Sequence, residues 1–184
     1  VTAAIKADAV IDQQEFILNS CGNNTVTFQN QSVIEEYIRS YRWIFDINGT
    51  DVESMDRDAT FTFPGIGNYR GIMIVNEEQQ CGDTAYINVN VYPSITADFE
   101  FDYDTCIAGP VSFTDKSFTN AQILTAWDWD FGDASGSPLR NPNHLYEKPG
   151  LIPIELIVTD NNLCKDTMVQ ELSYFPVPPL LLVK

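Results

Sequence analysis

Histidine is almost missing from this 184-residue chain: His144 stands alone. Acid–base, nucleophile-activating or zinc chemistry that needs an imidazole would have to run through that one side chain. Basic residues are scarce too, with ten Lys and Arg against 26 Asp and Glu, a formal charge of −16. A field of that sign repels phosphate backbones and anionic membrane surfaces, which argues against nucleic acid as a partner. No apolar run reaches the length of a membrane span, so membrane insertion is not expected. No serine sits in a nucleophile elbow, no glycine-rich phosphate loop is present and no cysteine has a CxxC partner. With these absences, the expectation is a protein that is not an enzyme and requires no cofactor.

What is present is an ordinary globular composition, 44% hydrophobic, organised by an internal repeat. Cys21 is followed five residues later by Val26-Thr27-Phe28-Gln29-Asn30-Gln31-Ser32, and Cys106 at the same interval by Val111-Ser112-Phe113-Thr114-Asp115-Lys116-Ser117. Trp43-Ile44-Phe45 matches Trp129-Asp130-Phe131. Gly67 precedes Cys81 by the fourteen residues that separate Gly150 from Cys164. Each copy has the size of a small sandwich domain, with a boundary near Tyr92-Pro93-Ser94, which predicts domains at 1–93 and 94–184. Period-two runs at Tyr69 to Val75, Ala85 to Val91 and Ile152 to Val158 read as strands. Ser32 to Tyr41 reads as a decorated loop. Both ends look cut, and Pro176, Pro178 and Pro179 read as a linker into a further module.

The repeat also selects one pairing of the four cysteines: Cys21 with Cys81 and Cys106 with Cys164, one bridge inside each copy. Each would close a loop of roughly 60 residues and add about 4 kcal/mol if unstrained. Paired cysteines point to an oxidising compartment outside the cytoplasm.

The densest motif is WDWDFGD, residues 127–133. Alternation along a strand puts Trp127, Trp129 and Phe131 on one face and Asp128 and Asp130 on the other. The first copy keeps the aromatics, as Tyr41, Trp43 and Phe45, and drops the acids, as Arg42, Ile44 and Ile47. That pattern predicts an aromatic core layer rather than a shared metal or sugar site.

WDWDFGD, followed by Asn141-Pro142-Asn143-His144-Leu145-Tyr146 and then Lys148-Pro149-Gly150, resembles the PKD (polycystic kidney disease) domain. The likeness runs from about Ala97 to Tyr174. The first copy departs from it, with Asp46-Ile47-Asn48-Gly49 at the Gly-Asp turn and Asp58 to Phe63 in place of the Asn-Pro motif, and is read as a divergent PKD-like unit from its spacing. The resemblance implies an all-β chain of two tandem immunoglobulin-like sandwiches, of the kind found in extracellular parts of large surface proteins and as accessory modules of secreted hydrolases. Its cysteine pairs are similar to those of PKD repeats in very large Bacteroidetes surface proteins, including gliding adhesins and type IX secretion cargo. The expected role is a non-catalytic spacer at the cell surface or outside the cell. Its expected partners are neighbouring domains of the same chain and an extracellular polysaccharide or surface protein. The alternative is a carbohydrate-binding accessory module of a secreted hydrolase, with Trp127 as the exposed ring.

Trp43, Phe45, Trp129, Phe131, His144 and Tyr146 are expected in the core, His144 because it aligns with Phe61 and lies inside the family's structural turn. Asp46, Asn48, Asp51 and Glu53 space oxygen ligands around a turn as calcium loops do, and some PKD domains of secreted collagenases bind calcium. Asp128, Asp130 and Asp133 are the analogous set in the second copy. Phe99, Phe101 and Tyr103 are expected at the core's edge. Thr84 and Thr167 each follow a cysteine within an Asp-Thr-apolar pattern that resembles Bacteroidetes O-glycosylation acceptors. Asn23, Asn30 and Asn48 head N-glycosylation sequons.

Overall fold

The computed structural model describes residues 1–5, 14–32, 37–77, 82–120 and 123–176. It is all-β and divides into two units, Val1–Pro93 and Ser94–Lys184.

In the first unit the strands are β1 (Thr2–Ile5), β2 (Gln14–Cys21), β3 (Thr25–Asn30), β4 (Tyr41–Ile47), β5 (Thr50–Ser54), β6 (Ala59–Thr62), β7 (Gly67–Val75) and β8 (Asp83–Tyr92). They form a three-stranded sheet, β1-β3-β6, and a five-stranded sheet, β2-β8-β7-β4-β5. The alternation in sequence becomes alternation in burial: along β7, Tyr69, Met73 and Val75 are buried while Asn68 and Arg70 are exposed. Inward residues of both sheets, among them Val26, Phe28, Trp43, Phe45, Phe61, Phe63, Ile87 and Val89, merge into one core.

The second unit contains β9 (Ile95–Thr96), β10 (Phe99–Asp102), β11 (Val111–Asp115), β12 (Phe118–Thr119), β13 (Leu124–Asp130), β14 (Gly136–Ser137), β15 (Asn143–His144), β16 (Gly150–Asp160) and β17 (Lys165–Tyr174). Its sheets are β10-β11-β15, β14-β13-β16-β17 and the small pair β12-β9. The sequence repeat is therefore a repeat of strands: β3 answers to β11, β4 to β13, β7 to β16 and β8 to β17. Gly67 and Gly150 each open the matching strand.

One difference between the copies corrects the expected cystines. Cys106 is an exposed free thiol, whereas Cys164 is 1% exposed and disulfide-bonded. The bridge expected between them inside the second unit is not formed. In the first unit the chain before β3 runs as β2, parallel to β8, and Cys21 ends that strand opposite Tyr92. In the second unit the matching segment pairs instead with β11, on the other sheet. Cys106 then falls in the turn after β10, where its N–H donates to Asp104 Oδ1 at 2.8 Å. Equal spacing from the next strand thus carried the cysteine into a different element. Cys21 is disulfide-bonded; its expected partner Cys81, residues 33–36 of the expected loop, and Pro178 and Pro179 lie outside the described residues.

Candidate functional site

The motif residues of the two units build one structure twice. In the first unit Phe28 lies 5.7 Å from Trp43 and 5.1 Å from Phe45, and Phe45 lies 4.7 Å from Phe61. In the second, Phe113 lies 5.4 Å from Trp129 and 5.2 Å from Phe131, and Phe131 lies 4.3 Å from His144. Trp43, Phe45, Trp129 and Phe131 are all at most 2% exposed. The indole N–H of each of these two tryptophans has its acceptor: Trp43 Nε1 donates to the Asp56 carbonyl and Trp129 Nε1 to the Leu139 carbonyl, both at 2.9 Å. An indole placed this way fills a core and ties down the loop beyond the next strand.

The Asn-Pro motif has an equally mechanical role. Asn141 Oδ1 accepts the Asp115 N–H at 2.9 Å, and the Pro142 carbonyl accepts the Phe113 N–H at 2.9 Å. Asp115 in turn accepts the Ser117 N–H, at 2.9 Å. In the first unit Asp58 Oδ1 accepts the Asn30 N–H at 2.8 Å, and Asn30 Oδ1 accepts the Ser32 N–H at 3.1 Å. Asp58 thus does for the divergent unit what Asn141 does for the second. The sequence did not single out Asp58, although its place in the alignment opposite Asn141 was the available signal.

His144 belongs to the aromatic layer and to the turn at Asp133. Its ring stacks on Phe131 at 8° and meets Tyr146 edge-on at 4.5 Å. Nε2 lies 2.7 Å from Asp133 Oδ2 and 3.4 Å from Ser135 Oγ. Serine and aspartate both meet the same ring nitrogen, so the histidine has no second nitrogen relaying between them as a Ser-His-Asp triad requires. Ser135 Oγ instead donates to Asp133 Oδ1 at 2.5 Å, closing the turn. Tyr146 is 5% exposed and its hydroxyl donates to the Phe131 carbonyl at 3.1 Å. Burial, then the charges of Asp133 and Asp130, push its pKa up, so it remains a donor.

Burial works to raise the Asp133 carboxyl, but hydrogen bonds from the Ser135 hydroxyl, His144 and the Ser135 N–H outweigh it and hold the group below the usual carboxylate value. A carboxyl lowered on folding stabilises the fold above its unfolded pKa, about 3.9, and loses that contribution as pH falls through the lower folded value. The second unit is therefore expected to weaken on acidification below roughly pH 4. Asp133→Asn should flatten that dependence. Urea unfolding across the acid range checks this, and an unaltered acid slope in the variant would refute it.

The proposed calcium loop is a hairpin. Asn48 and Gly49, at φ 58° and 78°, form the two-residue turn between β4 and β5, and Asp46 Oδ1 accepts the Gly49 N–H at 2.7 Å. Asp51 lies opposite Asp46, while Glu53 is held by Arg42 through two bonds, of 2.9 and 3.1 Å. Asp130 accepts the Gly132 N–H at 2.8 Å and Asp133 is engaged with His144. Among the described residues no three His, Cys, Asp or Glu side chains are grouped to hold a metal ion. Exchange of calcium for a chelator is expected to leave the melting midpoint unchanged. A calcium-dependent rise abolished by Asp51→Asn would overturn that expectation.

Trp127 is partly buried, with the Arg140 guanidinium 5.4 Å from its ring centre and Nε1 buried and, among the described residues, without a partner, so it does not form an open stacking surface. Phe99 is buried and Phe101 and Tyr103 half-buried, at the edge of the core. Thr84 and Thr167 lie inside β8 and β17, half-buried and exposed respectively. Asn23 and Asn30 serve as turn caps, Asn23 Oδ1 accepting the Thr25 N–H at 2.9 Å.

The class defined by this arrangement is an immunoglobulin-like β-sandwich whose motif residues fill cores and fasten turns. Residues 90–173 match the model of the PKD domain family, a span that holds the WDWDFGD, NPNHLY and KPG segments and supports a PKD domain in the second unit. Among solved structures, the chain is similar to the PKD1 domain of Vibrio anguillarum Epp, at 27% identity over 46% of this chain and 95% of that one, with a TM-score of 0.42. It is similar to the PKD1 domain of the Vibrio cholerae metalloprotease PrtV, at 27% identity over 42% and 93%, with a TM-score of 0.39. The fibronectin(III)-like modules of Clostridium thermocellum CbhA align with 90% of each chain at 10% identity and a TM-score of 0.50, a likeness of fold. No curated protein matches the chain.

Proposed function

We propose that the chain is a pair of non-catalytic spacer modules in a large extracellular protein, an adhesin-type stalk that holds a distal adhesive or catalytic region away from the cell. The observation that carries this reading is the use made of the motif residues. Trp43, Trp129, Asp58, Asn141, His144 and Tyr146 are all spent on packing and turn closure. PKD domains are generally non-catalytic modules of larger extracellular proteins, and the match over residues 90–173 fits that role. Disulfide-bonded Cys21 and Cys164 fit an oxidising compartment.

A spacer must resist extension. Ten register pairs join β16 to β17 and nine join β7 to β8, so pulling has to break a long ladder in each unit. Single-molecule stretching of the chain between handles, with its cystines reduced, is expected to give two separate unfolding events, one per sandwich. Extension with no resolved force peak would remove the basis for the stalk.

A further inference from the structure

The outer face of the five-stranded sheet in the first unit is not a uniform solvated surface. It carries an open trough of about 750 Å³ whose lining includes Glu15, Ile44, Asp51, Arg70, Tyr86 and Asn88. The register explains its composition. One cross-strand row runs Glu15, Tyr86, Ile72, Ile44, crossing from β2 through β8 and β7 to β4. The next row places Asn88 opposite Arg70, with Asp46 opposite Asp51 at the far side. The first row is an aromatic ring continued by two aliphatic side chains, and the second is a line of hydrogen-bonding groups beside it.

Three features indicate what would lie there. Tyr86 is 47% exposed, and among the described residues its ring meets no other aromatic ring and its hydroxyl has no partner. Among the described residues Arg70 and Asp51 have no ion-pair partner either, so a donor fork and an acceptor face the same space unspent. Asn88 Nδ2 donates to Glu15 Oε1, which holds that carboxylate beside the ring. Donors and acceptors thus alternate around an exposed ring. An anionic ligand would face Glu15, Asp46 and Asp51, and a strongly cationic one would face Arg70. A neutral ligand with an apolar face and a rim of hydroxyls satisfies all of them.

We propose that this trough, centred on Tyr86, is a binding site for a neutral oligosaccharide, one sugar ring stacking on the tyrosine and its hydroxyls bonding to Arg70, Asn88 and Asp51. The second unit provides an internal comparison. Its trough on the matching face is about 340 Å³ and is lined by Asp128, Asp130 and Glu155. Val169 stands where Tyr86 stands, and Glu155 where Ile72 stands. The ring is missing there, and Glu155 and Asp130 stand in place of Ile72 and Ile44, so the site belongs to the first unit alone. The assignment goes beyond the spacer role, which stands or falls separately by stretching.

The test is titration of the whole chain with cello-, manno- and galacto-oligosaccharides of three to six residues, followed by calorimetry or ligand-observed NMR. At least one probe should bind. Tyr86→Ala should weaken it tenfold or more, Arg70→Ala should weaken it measurably, and Tyr37→Ala, which removes another exposed ring, should leave it unchanged. Thermal melts identify any variant that has lost its fold, and Arg70→Ala keeps the test decisive if Tyr86→Ala is one of them. Absence of binding to every probe, binding that survives both Tyr86→Ala and Arg70→Ala, or salt-sensitive binding of charged polymers in place of neutral ones would overturn the assignment.

Discussion

Trp129→Ala is expected to destabilise the second unit by about 3–5 kcal/mol, the range for truncating a buried aromatic. Trp129 is 1% exposed and packs on Phe99 at 5.0 Å as well as on Phe113. Its loss opens a cavity in the middle of the layer and also leaves the Leu139 carbonyl without its donor. That is a large share of the roughly 5–15 kcal/mol that holds a domain folded. Trp43→Ala should do the same to the first unit, because Trp43 is 0% exposed and donates to Asp56 in the same way. Urea unfolding followed by far-UV circular dichroism should show an early transition in either variant with a later one kept. A shift below about 1 kcal/mol in Trp129→Ala would mean that the ring is not the centre of the core.

Gly132→Ala should lower stability by about 2–4 kcal/mol, combining left-handed strain with overpacking. Gly132 has φ 72°, and a Cβ there would stand 2.4 Å from the Pro153 carbonyl oxygen and 2.8 Å from Ile152 Cγ2. Both obstacles belong to β16, which at Ile152 and Pro153 is paired with β17, so they cannot retreat without disturbing that ladder. Gly150→Ala is the control from the same motif set. A Cβ at Gly150 meets nothing within 4 Å, so its effect should stay within about 0.5 kcal/mol. Chemical unfolding of the two variants checks the contrast, and equal effects would contradict it.

Much of the sandwich was legible because alternation and burial are the same information. Trp129 and Phe131 point inward for the reason that Asp128 and Asp130 point outward, and the strand period states it directly. The aromatic layer was legible because two copies kept it while their acids diverged. The cystine pattern was not legible, because spacing fixes distance along the chain but not which sheet a segment joins. The segment before β3 joins β8 as β2, whereas its counterpart joins β11 as β10. The acidic hairpin at Asp46 to Glu53 shows the same limit of linear spacing. Carboxylates at ligand-like spacing were drawn into a turn and an arginine pair, which linear spacing does not reveal. Tyr86 was hidden by its neighbours. Its ring gains meaning only beside Glu15, 71 positions earlier in the chain, and Ile72, and that adjacency exists in the sheet and not in the sequence.

The exchange of Phe61 for His144 at one geometric position has a practical consequence. The chain holds a single histidine, and that half-buried imidazole lies face to face with Phe131 of the second sandwich. Its proton NMR signals should be displaced by the ring current of the neighbouring phenyl and return to solution values when that sandwich melts. The protein therefore carries its own spectroscopic label for one half, allowing the unfolding of the two halves to be followed apart without isotopes or dyes.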